Sequence, residues 1–147
     1  MNAPVYTIHT DGGSRGNPGP AASGFVIDGP DFGRVEHGEK LGVATNNVAE
    51  YTAVLLALRK LKSLIGTEHA KSATVHVKAD SELLVKQLNG EYKVRDANLR
   101  AIFLDVWNAR LDFGSVTFQH VRREQNKDAD RMVNAALDGE LAPDLGL

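Results

Sequence analysis

The stretch Val5-Tyr6-Thr7-Ile8-His9-Thr10-Asp11, followed by Gly12-Gly13-Ser14-Arg15-Gly16-Asn17-Pro18-Gly19-Pro20, decides the fold. Its first part alternates and is rich in β-branched and aromatic side chains, which reads as a strand. The Gly, Pro, Ser and Asn that follow break regular structure and read as a long turn. A second strand fits Ala21 to Ile27, the turn residues Asp28-Gly29-Pro30-Asp31 come next, and a third strand fits Gly33 to Val43. Short connections predict that these three strands are antiparallel neighbours. From Asn47 the period becomes helical, with Tyr51, Val54, Leu55, Leu58 and Leu61 on one face, and it stops before Gly66. Ser72 to Ala79 alternates again as a fourth strand and runs into Asp80-Ser81 and a helix with Leu83, Leu84 and Leu88 that ends at Gly90. A further helix fits Leu99, Ile102, Phe103, Val106 and Leu111, followed by a strand from Ser115 to Val121 and a helix from Lys127 to Leu137. A strand entered from a crossover helix runs parallel to an earlier one. The order β-β-β-α-β-α-α-β-α therefore predicts an α/β fold, a five-stranded mixed sheet of three antiparallel strands then parallel strands, flanked by helices.

The chain of 147 residues has the size of one domain, and 42% apolar with 24% charged residues is a globular composition. Seventeen Lys plus Arg against nineteen Asp plus Glu give a formal charge of -2, so any polyanion must be bound by local patches. The absence of cysteine excludes disulfides, thiolate metal sites, iron–sulfur clusters and a Cys nucleophile, and fits a reducing compartment. No apolar run approaches the ~18 residues of a membrane span, and Met1-Asn2-Ala3-Pro4 lacks the pattern of a signal peptide. The expectation is a soluble cytoplasmic protein without membrane contact. There are five His but no HExxH, no Walker loop and no Gly-x-Ser-x-Gly elbow, so zinc hydrolysis, nucleotide-driven work and α/β-hydrolase chemistry lack their signatures.

Ligands of open α/β sheets sit beyond the carboxyl ends of parallel strands. Asp11 closes the first strand of this reading and Asp80 the fourth, while Glu50 and Asp130 fall in the first turns of the first and last helices. Three of the acids also have a structural explanation: Asn47-Val48-Ala49-Glu50 reads as a capping box, Asp80 as an N-cap, and Asp130 as a complement to a helix dipole. Asp11 resists that reading, because the residues after it cannot open a helix. Four converging carboxylates suit hard divalent cations, and two such ions assist in-line phosphoryl displacement.

Asp11-Gly12-Gly13-Ser14-Arg15-Gly16-Asn17-Pro18-Gly19-Pro20, Thr45-Asn46-Asn47-Val48-Ala49-Glu50, Ala79-Asp80-Ser81 and Arg123-Glu124-Gln125-Asn126-Lys127-Asp128-Ala129-Asp130 resemble, in order and spacing, the motifs of type 1 ribonuclease H. The resemblance runs from about Val5 to Leu137. It implies metal-dependent endonucleolytic cleavage of the RNA strand of RNA/DNA hybrids, leaving 5′-phosphate and 3′-hydroxyl ends. By motif, Asp11, Glu50, Asp80 and Asp130 would be the catalytic acids and would hold two Mg²⁺ ions, with Mn²⁺ as a possible substitute. Gly12, Gly13, Asn17, Asn47 and Glu50 would approach the RNA strand near its 2′-hydroxyls, Thr45 and Asn46 a DNA phosphate, and Ser81 the substrate beside Asp80. Exposed backbone at small residues suits such contact, and the 2′-hydroxyl is what separates RNA from DNA.

The resemblance implies a ribonuclease H domain over residues 1–138, the Gly, Pro and acids of residues 139–147 read as a flexible tail, and a monomer is expected. Longer relatives carry a basic insertion where Leu88-Asn89-Gly90-Glu91-Tyr92-Lys93-Val94-Arg95 is a compact connection, so Lys86, Lys93, Arg95 and Arg100 form at most a reduced handle. Glu82 stands where some members have Gln. Two residues compete to assist near Asp130: Arg123, at the spacing of short-looped members, and His120, at that of longer-looped ones. A guanidinium can hold a phosphate and stabilise developing charge, and Arg123 is the preferred assignment. The competing readings are a catalytically weak hybrid-binding module, or an accessory domain of a larger nucleic-acid enzyme. An exonuclease or resolvase of the same fold class is disfavoured by the Asp11–Pro20 and Thr45–Glu50 segments.

Overall fold

The computed structural model describes residues 4–139. Three strands come first, β1 (Val5–Ser14), β2 (Gly19–Gly29) and β3 (Gly33–Ala44), followed by α1 (Asn46–Ile65) and the single-turn α2 (Thr67–Ala70). Then come β4 (Thr74–Ala79), α3 (Glu82–Leu88), α4 (Ala97–Arg110), β5 (Ser115–His120), a 3₁₀ turn at Arg123–Gln125 and α5 (Lys127–Leu137). The sheet order is β3-β2-β1-β4-β5, antiparallel from β3 to β1 and parallel from β1 to β5, as the element order predicts. The flexible tail expected over residues 139–147 lies, beyond Gly139, outside the described residues. No described helix is long and apolar enough to cross a membrane.

Alternation in the strands directs Tyr6, Ile8, Val75 and Val77 to one face, where Tyr51, Val54, Leu58 and Leu61 of α1 complete the main core. The opposite face is covered by α5 through a smaller cluster of Ala22, Val133 and Ala136. Close docking on both faces depends on glycine. A Cβ on Gly12 would lie 2.3 Å from the Ala49 carbonyl carbon of α1, and one on Gly24 would lie 2.7 Å from the Ala129 oxygen of α5.

Several local expectations are corrected. The break expected over Gly12–Pro20 is confined to Arg15–Pro18, because Gly12, Gly13 and Ser14 stay paired with Ser23, Ala22 and Ala21; Asp11 therefore lies within β1 rather than at its end. Helix α1 starts earlier than Asn47: Thr45 is the N-cap, its Oγ1 accepting the Val48 N–H at 3.2 Å. Glu50 consequently stands in the second turn and takes no part in a capping box. Asp80 is not the N-cap of α3, since Ser81 fills that position and its Oγ accepts the Leu84 N–H. Asp130 does fall in the first turn of α5.

Candidate active site

Asp11 is carried by the middle strand of the sheet, Asp80 by the loop at the end of β4, Glu50 by α1 and Asp130 by α5. All four line one cavity of about 370 Å³, together with Gly12, Gly13, Ser14, Arg15, Asn46, Arg123 and Asn134. Thr45 and Ser81 perform the capping of α1 and α3, so Glu50 and Asp80 have no capping duty and are left to face the cavity.

The Asp11 Oδ1 accepts the Gly12 N–H at 2.9 Å. Burial and the Asp80 charge, with a further contribution from Asp130, push Asp11 up to about 8 despite that hydrogen bond. Glu50 is pushed up to about 7, mainly by burial and partly by Asp80, while the Ser81 hydroxyl opposes the shift by hydrogen bonding to it. Burial and the neighbouring carboxylates thus favour the protonated forms of Asp11 and Glu50. Among the described residues no three Asp, Glu or His side chains already close around one point as a ligand set. The donors nevertheless suit a hard divalent cation: they are all oxygen, they share one cavity, and their mutual repulsion is what such an ion relieves.

Of the residues assigned to substrate, Gly12, Gly13 and Asn46 line this cavity; Gly12 is buried beneath α1, whereas Gly13 is partly accessible. Asn46 Oδ1 accepts the Ser14 N–H at 2.8 Å, and the Asn46 N–H donates to Asn17 Oδ1 at 3.1 Å. These bonds fasten the β1–β2 loop to the start of α1. Asn17 and Asn47 are exposed beside the cavity, Thr45 is engaged as a cap, and Ser81 touches Glu50. Arg123 is exposed and lines the cavity, whereas His120 stands at the end of β5 outside it.

The sequence reading missed two asparagines. Asn134 Nδ2 donates to the Asp130 backbone oxygen at 3.2 Å and approaches its Oδ2 at 3.4 Å, a pair whose i, i+4 spacing on one helix was the available signal. Buried Asn126 donates through Nδ2 to the Thr10 carbonyl at 2.8 Å. Nothing in the sequence pointed to that partner. A larger cleft of about 610 Å³ between α1 and α4, lined by Arg59, Lys62, Asp105 and Asp112 among others, gathers no comparable set of acids.

An antiparallel-then-parallel sheet with acids from β1, α1, the β4 end and α5 in one cavity defines the ribonuclease H-like class. The profile of the reverse transcriptase-like family matches residues 9–136. The chain is 40% identical over 129 residues to ribonuclease HI of Halobacterium salinarum, covering 87% of this chain and 62% of that protein. It is 38% identical over 133 residues to a bifunctional protein of Mycobacterium tuberculosis, covering 89% of this chain and 35% of the relative's length. The crystal structure of LC11-RNase H1 in complex with an RNA/DNA hybrid superposes with a TM-score of 0.85 at 39% identity, covering 93% of this chain and 99% of that one. The chain belongs to the type 1 ribonuclease H family.

Proposed function

We propose that the chain is a metal-dependent endonuclease that hydrolyses the RNA strand of RNA/DNA hybrids, leaving 5′-phosphate and 3′-hydroxyl ends. The observation that carries this reading is the single cavity lined by Asp11, Glu50, Asp80 and Asp130, in a chain whose relatives include a ribonuclease H1 bound to such a hybrid. The four acids would hold two Mg²⁺ ions, or Mn²⁺ in their place. When bound, the ions supply an activated water and stabilise the attacking and leaving oxygens of an in-line displacement.

The chain's own groups bind and orient the substrate. Gly13 and the half-exposed backbone around it admit the sugar edge of the RNA strand, with Gly12, Asn17, Asn47 and Glu50 next to it. Thr45 and Asn46, at the α1 N-terminus, face a phosphate of the DNA strand, where the helix dipole favours an anion. Arg123 carries a permanent positive charge at the cavity and stabilises negative charge on the scissile phosphate; His120 is assigned the lesser part. A second reading, an accessory hybrid-binding domain of a larger enzyme, is favoured by one observation, the match to only 35% of a bifunctional relative.

A gel assay of end-labelled RNA/DNA, DNA/DNA, RNA/RNA and single-stranded RNA, each with Mg²⁺ and with EDTA, tests the proposal. Cleavage of the RNA strand of the hybrid, in Mg²⁺ only and with 5′-phosphate product ends, is the expected result. Binding without cleavage points to the accessory reading, and cleavage in EDTA overturns the mechanism.

A further inference from the structure

Asn126 joins two of the four acid-bearing segments. It is 1% exposed, its Nδ2 donates to the carbonyl of Thr10, and its own backbone carbonyl accepts the Asp130 N–H at 3.1 Å. Thr10 directly precedes Asp11, so this residue fastens β1 to the first turn of α5 across a sequence separation of 116 residues. Asn126 sits at the N-cap position of α5, yet its side chain makes no capping bond. A carbonyl partner can only accept, which fixes the nitrogen toward Thr10 and leaves Oδ1 buried without a hydrogen-bond partner among the described residues. An unused cap and an unsatisfied acceptor both cost stability, so the side chain is poorly explained by helix stability alone.

We infer that Asn126 is a positioning residue, holding Asp11 and Asp130 at the spacing the reaction needs through its bond to Thr10. The inference rests on the reading of the cavity as the hydrolytic site. Its donor acts on the strand rather than on the acids, so its loss displaces Asp11 relative to Asp130 without removing any group that touches substrate. Asn89, an exposed residue, provides a control for the bond type. Its Nδ2 also donates to a strand carbonyl, that of Phe118 at 3.1 Å, but away from the acids.

The test compares Asn126→Ala, the near-isosteric Asn126→Asp and Asn89→Ala with the wild-type chain. The readouts are thermal melting, hybrid affinity in EDTA, single-turnover cleavage in Mg²⁺, and amide NMR with hydrogen exchange on metal-free protein. For both Asn126 variants the cleavage rate is expected to fall at least ~10-fold with hybrid affinity changed less than ~2-fold. In metal-free protein the amide signals of Asp11, Gly12 and Asp130 shift and exchange faster, while Asn89→Ala leaves both rate and signals near wild type. If Asn126→Ala does not fold, Asn126→Asp decides by the same readouts. Wild-type cleavage in folded Asn126 variants, or loss of melting temperature with no change at those amides, overturns the inference. A wild-type chain inert on the hybrid contradicts instead the functional reading beneath it.

Discussion

Asp11 and Glu50 carry the electrostatic signature of the site, pushed up to about 8 and about 7 chiefly by burial, with Asp80 adding repulsion to each. Native metal-free protein therefore keeps protons that the unfolded chain releases near the ordinary carboxylate range of ~4. Stability from these groups is fully present below that range and is lost as pH rises through about 7 for Glu50 and about 8 for Asp11. Melting in EDTA should thus fall between about pH 5 and about pH 8, and added Mg²⁺ should flatten that fall. A metal-free melting temperature that is level or rises over this interval contradicts the assignment. Arg123 and His120 separate at the same scale, because only the former lines the cavity. Arg123→Ala is expected to lower single-turnover cleavage by roughly 10–100-fold, below a full oxyanion-donor effect of ~10²–10³, and His120→Ala to have a smaller effect. The reverse order would transfer the assisting role to His120.

At the scale of elements, the acids meet because helices sit on bare strand backbone. Gly12 lies under α1 with backbone atoms of Ala49 and Glu50 where a Cβ would go, so neither can yield by a rotamer change. Gly12→Ala should displace the start of α1, cost about 1–3 kcal/mol in denaturant unfolding and lower cleavage by moving Glu50. Unchanged stability would show that the two elements are not packed as described. The elements themselves were legible in the sequence, because Val75 and Val77 alternate and Tyr51, Val54, Leu58 and Leu61 recur with helical period. Their ends were less so. Gly12-Gly13 read as a breaker, but pairing with Ser23 and Ala22 carries β1 through it. Competing oxygens one or two residues away hid the true caps, Thr45 and Ser81, and with them the freedom of Glu50 and Asp80. Thr67–Ala70 and Arg123–Gln125 are too short to show a period. The bond from Asn126 to Thr10 depends on tertiary docking, which no local pattern encodes.

Across the whole molecule, seventeen Lys plus Arg are outnumbered by nineteen Asp plus Glu, and only a short connection joins α3 to α4. Hybrid binding by a cleavage-deficient variant should show a shallow slope of log K against log salt, below that of about eight contacts at roughly 0.9 each for duplex DNA. A slope at or above that value would reveal a basic surface that the sequence reading did not identify. The same global arrangement brings acids from four separate segments into one cavity, where burial and the Asp80 charge disfavour ionised Asp11 and Glu50. Function and metal-free stability are therefore set against each other. The most direct measurement is single-turnover cleavage of an RNA/DNA hybrid in Mg²⁺ by wild-type and Asp11→Asn protein, with metal-free melting followed on the same samples. An amide at this position escapes the cost of burying a carboxyl beside Asp80, which predicts an Asn variant that melts at or above wild type yet has lost most of its cleavage. An Asp11→Asn protein that cleaves the hybrid at the wild-type rate would contradict the account.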